Sequence, residues 1–225
     1  MNRTMSEAVL SWVLYLHRDM HFYQVQQNKR VWKEADYIKP SKKIVSIIGL
    51  GELGSASAAK LIENGFNVCG WSRSKKKIRK VKSFTGELGL KKMLNQTDIL
   101  LINQSEVYDL TKKKNMDQSI SDMLEMGPKT IIVKYGSNGS KMFTHNGKSH
   151  SVGVINVPKV VDPTGAGDSY GGGLVSGLAE GMTIENAMIR GTVMASLCIE
   201  NFGTESIYGA KDDIINERIK ILSNS

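Results

Sequence analysis

Ile44-Val-Ser-Ile-Ile-Gly-Leu-Gly-Glu-Leu-Gly54 is a short apolar run that passes straight into Gly-x-Gly-x-x-Gly. Ile44 to Ile48 reads as a buried strand, Ser55 to Asn64 as a helix of small residues with Gly65 as its C-cap, and Asn67 to Trp71 as a second strand. Strand, glycine turn, helix and strand in that order form a βαβ unit, which commits this part of the chain to a parallel sheet. The turn Gly49, Gly51, Glu52, Leu53, Gly54 lets backbone approach a ligand closely and sets a helix N-terminus toward it, the geometry that takes a dinucleotide pyrophosphate. The alternative is a turn made only for packing. The second strand ends in Trp71-Ser-Arg-Ser74, where an NAD site would offer Asp or Glu to the ribose. Ser72, Arg73 and Ser74 instead offer hydroxyls and a guanidinium to a 2′-phosphate, so NADP(H) is the dinucleotide expected, unless Arg73 is a surface residue beside the lysine run that follows.

Upstream, Val9, Val13, Leu16 and Met20 recur at helical spacing with Trp12 alongside, predicting a helix from Met5 to about Asn28. Met5 to Leu14, the glycine turn and the Trp-Ser-Arg-Ser end together resemble the cofactor-binding part of the D-isomer-specific 2-hydroxyacid dehydrogenases, in the glyoxylate/hydroxypyruvate reductase branch. The resemblance covers residues 1 to about 102. It implies an NADP(H) site, a 2-keto acid substrate and a homodimer formed through the N-terminal helix. That family's catalytic Arg, Glu and His come from downstream of the strand matching Asp98 to Asn103, and no Arg or His of this chain stands there in a matching motif.

Downstream, Thr97 to Asn103 reads as a strand, Asp117 to Met126 as a helix, Thr130 to Lys134 as a strand, and Lys141 to Thr144 with Ser149 to Val154 as a hairpin around Asn146-Gly147. The apolar run Val154 to Val161 then enters Asp162-Pro-Thr-Gly-Ala-Gly-Asp168 in a strand-turn-helix context, the helix running from about Ala166 to Glu180. Pro163 fixes one turn, Gly165 and Gly167 permit close backbone approach, and the helix aims free N–H groups at the same point. That is an anion site, and Asp168 in the first helical turn is placed to accept a proton from a hydroxyl as a phosphoryl group arrives. The bland alternative is a glycine-rich turn with an ordinary capping Asp. Thr183 to Phe202 and Lys211 to Leu222 read as two further helices, the first carrying Gly191 and Ala195.

Asp162 to Asp168 resembles the C-terminal signature of the ribokinase-like (PfkB) carbohydrate kinases. The resemblance implies that Gly165, Ala166 and Gly167 form an anion hole with Asp168 as catalytic base. It also implies that Asn103 and Glu106 of Asn-x-x-Glu help to position magnesium and phosphates, Glu106 acting on the metal indirectly. Gly136 and Gly139 would lie at the ATP site, Asp162 and Thr164 near a monovalent cation, and Gly191 with Ala195 near the adenine. Lys134 departs from the family, which often has Thr there. The resemblance spans about residues 98 to 210 and leaves out the family's other half, which carries most sugar-binding residues and the lid.

The expected architecture is therefore α/β: a doubly wound, mostly parallel, Rossmann-like sheet with an antiparallel edge hairpin and helices on both faces. Residues 1–102 form a dinucleotide-binding half and 103–225 a ribokinase-like half, with Ile99 to Ile102 beside Ile44 to Ile48 in one continuous sheet. Across 225 residues the net charge is +8. The basic clusters are not interleaved with aromatics and match no nucleic-acid module, so they read as solvated faces. No apolar run reaches membrane-spanning length, the start has no small-residue cleavage site, and Cys69 with Cys198 read as buried thiols, so a cytoplasmic protein is expected. The function these features support is a nucleotide-binding chimera. Its best-supported chemistry is transfer of a phosphoryl group from ATP and magnesium to a sugar-like hydroxyl, with the sugar-binding half missing. The alternatives are an NADPH-dependent 2-keto acid reductase fragment and a non-catalytic fusion product.

Overall fold

A computed structural model describes residues 2–203, 207 and 209–224. The chain divides into two compact units, Met1–Thr97 and Asp98–Ser225. The described strands form two sheets, one within each unit.

In the first unit, α1 (Asn2–His17) and α2 (Met20–Lys29) are followed by β1 (Ile44–Ile48), α3 (Glu52–Glu63), β2 (Asn67–Ser72), β3 (Val81–Thr85) and α4 (Gly86–Leu94). The sheet is parallel, in the order β1-β2-β3. The single helix expected from Met5 to Asn28 is two helices. Asp19 between them adopts φ +51°, a left-handed conformation that breaks the i to i−4 ladder and that Asp tolerates better than most residues. The periodicity had carried across the break because Leu16 and Met20 keep the spacing.

Val9, Leu10, Val13 and Leu14 of α1 pack with Ala58 and Leu61 of α3, with Phe66, and with Val45, Ile47, Val68 and Val81 of the sheet. The alternate β1 residues Ile44 and Ile48 are 60% and 53% exposed, so β1 is a half-buried strand, not the fully buried one expected.

In the second unit, β4 (Ile99–Asn103), α5 (Gln104–Thr111), α6 (Met116–Glu125), β5 (Thr130–Lys134), β6 (Ser140–Thr144) and β7 (Ser149–Val152) precede α7 (Ala166–Ala179), α8 (Ile184–Cys198) and α9 (Asp212–Ser223). The sheet order is β4-β5-β6-β7, parallel between β4 and β5 and antiparallel thereafter. The hairpin thus lies at one edge, as expected.

Ile131, Ile132 and Val133 of β5 are fully buried, which requires cover on both faces of this sheet because successive side chains alternate. Ile132, Met142 and Val152 join a core with Tyr170 and Leu174 of α7 and with Met188, Val193 and Leu197 of α8. Helices α5 and α6 pack on β4 and β5. The fold class is thus α/β, as read from the sequence.

One continuous sheet is not what forms. Among the described strands β1 pairs only with β2 and β4 only with β5. The strand β3, which the sequence reading did not find, extends the first sheet beyond β2. The apolar run Val154 to Val161 is not a strand either: residues 154 to 163 are irregular, and Pro158 within them has no N–H for a ladder.

Candidate nucleotide sites

Helix α7 starts from the Asp162 to Gly167 turn. Gly165 caps it at φ +83°, a left-handed position that favours glycine. Ala166 N–H donates to the Pro163 carbonyl at 3.2 Å, and Ser169 N–H makes the first bond into the helix, to Gly165 at 2.8 Å. The amides of Gly167 and Asp168 fall between these two and make no backbone hydrogen bond to the described residues. The turn is held from behind. Val161 and Asp162 donate their N–H groups to the Ile199 carbonyl, and Cys198 Sγ donates to the Thr164 carbonyl at 3.4 Å. Asp162 accepts the Thr164 N–H at 2.9 Å, and that bond holds its carboxyl below the usual aspartate range, helped by further bonds from the Thr164 side chain and the Gly203 N–H. Asp168 stands exposed in the first helical turn.

Asn103 is the N-cap of α5. Its Oδ1 accepts from Glu106 N–H at 2.9 Å and from Ser105 Oγ at 2.7 Å, while Glu106 Oε2 accepts the Asn103 N–H at 2.9 Å. The Asn-x-x-Glu spacing is therefore that of a capping box, which accounts for it without any ligand. Across the sheet Asn103 is in register with Lys134, and Lys134 with Ser140. Ser140 Oγ lies 2.9 Å from the Tyr170 hydroxyl, whose phenol burial pushes up to about 12, so it is protonated at neutral pH. Lys134 Nζ reaches the Gly167 carbonyl at 3.5 Å.

The Gly136 to Gly139 turn has both glycines at positive φ, and a Cβ on Gly139 would overlap the Val152 carbonyl. These parts bound a cavity of about 630 Å³, lined among others by Asn103, Lys134, Gly136, Gly139, Gly167 and Ser196. Ala195 also lines it, whereas Gly191 does not: its Cα faces Tyr170 of α7, so it serves helix packing and not the pocket. Among the described residues no group of three His, Cys, Asp or Glu side chains is arranged to hold a metal. With one oxygen of Glu106 engaged in the cap, the residues suit a magnesium ion that keeps its waters and takes most of its ligands from phosphates, not an all-protein cage.

In the first unit, Gly49 adopts φ +108° and its N–H bonds the Trp71 carbonyl at 2.8 Å. A Cβ on Gly54 would overlap the Gly49 carbonyl, so the third glycine is what lets α3 start against the end of β1. Gly51 is the N-cap of α3, and Glu52 and Leu53 lie in its first turn. Ser72 is buried and donates to the Ser74 carbonyl at 2.7 Å, so its proton shapes the turn. Arg73 and Ser74 are exposed beyond β2, with the Arg73 carbonyl held by Thr85 Oγ1 at 3.1 Å. The Thr85 contact could not be read from sequence because β3 was not read.

The sequence profile of the pfkB family carbohydrate kinases matches residues 71–208. The match begins upstream of the boundary near residue 98 that the motifs suggested. Glyoxylate/hydroxypyruvate reductase A of Yersinia enterocolitica is 38% identical over 101 residues, covering 45% of this chain and 32% of that protein. Nucleoside kinase of Methanocaldococcus jannaschii is 32% identical over 131 residues, covering 58% of this chain and 42% of that one. The crystal structure of the Methanocaldococcus jannaschii nucleoside kinase, an archaeal member of the ribokinase family, superposes with a TM-score of 0.56 at 27% identity, covering 86% of this chain and 60% of that one. Likenesses to both kinds of protein are therefore present in one chain. The chain spans less than half the length of these curated relatives.

Proposed function

The chain belongs to the pfkB family of carbohydrate kinases, and from that premise we propose that its second unit binds ATP with magnesium and transfers a phosphoryl group to a sugar-like hydroxyl. The observation that carries this reading is the cavity of about 630 Å³ whose wall joins Asn103, the Gly136 to Gly139 turn and the free-amide start of α7. The phosphates lie along Asn103, Gly136 and Gly139. The Gly165, Ala166 and Gly167 backbone receives charge that develops on the transferred group, donors fixed in advance being the effective kind. Asp168, exposed in the first turn of α7, takes the acceptor's proton. Glu106 would act on a magnesium ion indirectly, and the ion, when bound with ATP, would supply charge neutralisation on the phosphates. Asp162 and Thr164 hold the approach to the turn and are the residues for a monovalent cation.

Asp168→Asn tests the assignment. A coupled ADP-release assay with a panel of sugars should show kcat falling about 10²- to 10⁴-fold, the range for a positioned proton acceptor, while affinity for ATP and magnesium is kept. A variant as fast as the parent removes Asp168 as the base.

A second reading rests on a different observation, the Gly49–Gly54 close approach at the start of α3 with Arg73 exposed beyond β2. On it the first unit binds NADP(H), through Gly49, Gly51, Glu52, Leu53 and Gly54 for the pyrophosphate and Arg73 with Ser72 and Ser74 for the 2′-phosphate. The substrate would be a small 2-keto acid such as glyoxylate. Trp12 on α1, 66% exposed, supports self-association through the N-terminal helix. No described helix is long and apolar enough to cross a membrane. A chain that binds nucleotides but transfers neither phosphoryl nor hydride is the fusion product of the third reading.

A further inference from the structure

Strand β1 has one bonded side and one open side. The Lys43 carbonyl accepts the Asn67 N–H at 3.3 Å, and the Gly49 N–H donates to the Trp71 carbonyl at 2.8 Å. Backbone groups alternate sides along a strand, so Lys43, Val45, Ile47 and Gly49 bond toward β2, while the N–H and C=O of Ile44, Ser46 and Ile48 point away from it. Among the described strands none pairs on that outer side. The same three residues carry exposed side chains, all on one face of the sheet. Of the strands at sheet edges, only β1 exposes large apolar side chains among the described residues. Strand β3 exposes Lys82 and Thr85, β7 exposes Ser149 and Ser151, and β4 exposes none. The charge and the proline that usually guard an edge against pairing are both absent from Ile44–Ile48.

The sequence of the strand indicates what fits it. Ile44-Val-Ser-Ile-Ile48 is apolar on both sides of a central serine and reads nearly the same in either direction. Let two copies meet antiparallel about a two-fold axis at Ser46. Ile44 of each copy then lies opposite Ile48 of the other, and Ser46 opposite Ser46. The outward groups of each opposed pair exchange both hydrogen bonds, and the isoleucines make cross-strand pairs on the face where each copy alone leaves them in water. A patch complementary to itself is what a two-fold interface requires. Lys42 and Lys43, which precede the strand, are carried to opposite ends and face the Gly49–Leu50 end of the other copy, so no like charges are opposed.

We propose that two copies of this chain associate edge to edge through β1, joining their first sheets into one in the order β3-β2-β1-β1-β2-β3. This interface depends on neither nucleotide reading and is distinct from association through α1. Because it is limited to one short strand, it belongs to the weak, concentration-dependent class.

The test is sedimentation velocity of the full chain over a concentration series, with amide hydrogen exchange at its two ends. The sedimentation coefficient of the parent should rise with concentration. Exchange should slow at Ile44, Ser46 and Ile48 and stay unchanged at Val45 and Ile47, which already bond β2. Ile44→Lys and Ile48→Lys alter side chains that are exposed in a single copy, so the fold is kept. Each should weaken association about tenfold or more by placing an ammonium in the pairing edge. Trp12→Ala should leave both readouts as in the parent. A parent that sediments as one copy at every concentration overturns the proposal. So does association that both lysine variants retain, or that Trp12→Ala abolishes, since the contact would then lie elsewhere. With two lysine variants, a folding defect in one does not decide the result.

Discussion

Asp162 shows how one bond in the nucleotide turn becomes a property of the folded chain. Its carboxylate accepts the Thr164 N–H at 2.9 Å, and its folded pKa lies below the ordinary aspartate value for that reason first. A depressed folded pKa means that folding favours the ionised form. The contribution is thus complete above the unfolded pKa and is lost as pH falls through the folded one. Asp162→Asn keeps an acceptor oxygen but removes the charge. Urea midpoints should therefore be lower for the variant than for the parent at pH 7, and the two should converge as the pH falls below the ordinary aspartate range. A difference that persists unchanged at low pH would mean that the Asp162 charge is not what stabilises the turn. Glu106 teaches a different lesson at the same scale. Its motif reads as a phosphate signature, yet its spacing from Asn103 is also that of a helix cap, and the bonds formed are those of the cap. A residue type at a fixed spacing can satisfy both demands, and sequence alone does not separate them.

The elements show which parts of the chain were legible and why. Helix α7 was read from Ala166 to Glu180 and spans Ala166–Ala179, because Pro163 and Gly165 mark its start in the sequence. The strands β1, β2, β4 and β5 were legible from apolar runs bounded by glycine or polar residues. Strand β3 was not: Val81-Lys-Ser-Phe-Thr alternates too briefly beside a lysine run, and its identity is settled by pairing with β2. The run Val154 to Val161 carried the opposite error, since its apolar side chains line a cavity and do not join a sheet.

The family resemblance implies a place near the adenine for Gly191, on a helix whose pattern is mostly core, and its surroundings assign it to the contact between α7 and α8. A Cβ there would stand 2.8 Å from the Tyr170 carbonyl, and one on Gly173 would stand 2.9 Å from the Gly191 Cα. These glycines let the two helices approach at the backbone. Gly191→Ala should cost about 1–3 kcal/mol, the usual range for overpacking, seen as a lower urea midpoint with an unchanged slope. The same substitution at Gly172, where a Cβ meets nothing within 4 Å, is the control and should be neutral or slightly stabilising, since alanine is the better helix former. Equal losses at both positions would remove the packing argument.

At the scale of the whole molecule, the two proposed readings assign different ligands to the two units. On them the start of α3 with Arg73 would take a dinucleotide bearing a 2′-phosphate, and the cavity beside α7 would take a triphosphate. A ligand that binds only the folded state stabilises it by about 2.7 kcal/mol at a hundred times its Kd, so thermal melts of the full chain reveal which sites are real without requiring turnover. ATP with magnesium should raise the melting temperature if the kinase reading holds, and NADPH should do so if the first unit is a working dinucleotide site. Arg73→Ala separates the two. Its side chain is exposed and its hydrogen-bonded group is a carbonyl that alanine retains, so the fold and the ATP shift should be unaffected. The NADPH shift should shrink by most of its size, because a charge-assisted contact to the 2′-phosphate is lost. Equal NADPH shifts for parent and variant would show that Arg73 does not read that phosphate. If neither ligand moves the transition, both nucleotide assignments fall, and the glycines at 49–54 and 165–167 are left as devices for packing strands against helices.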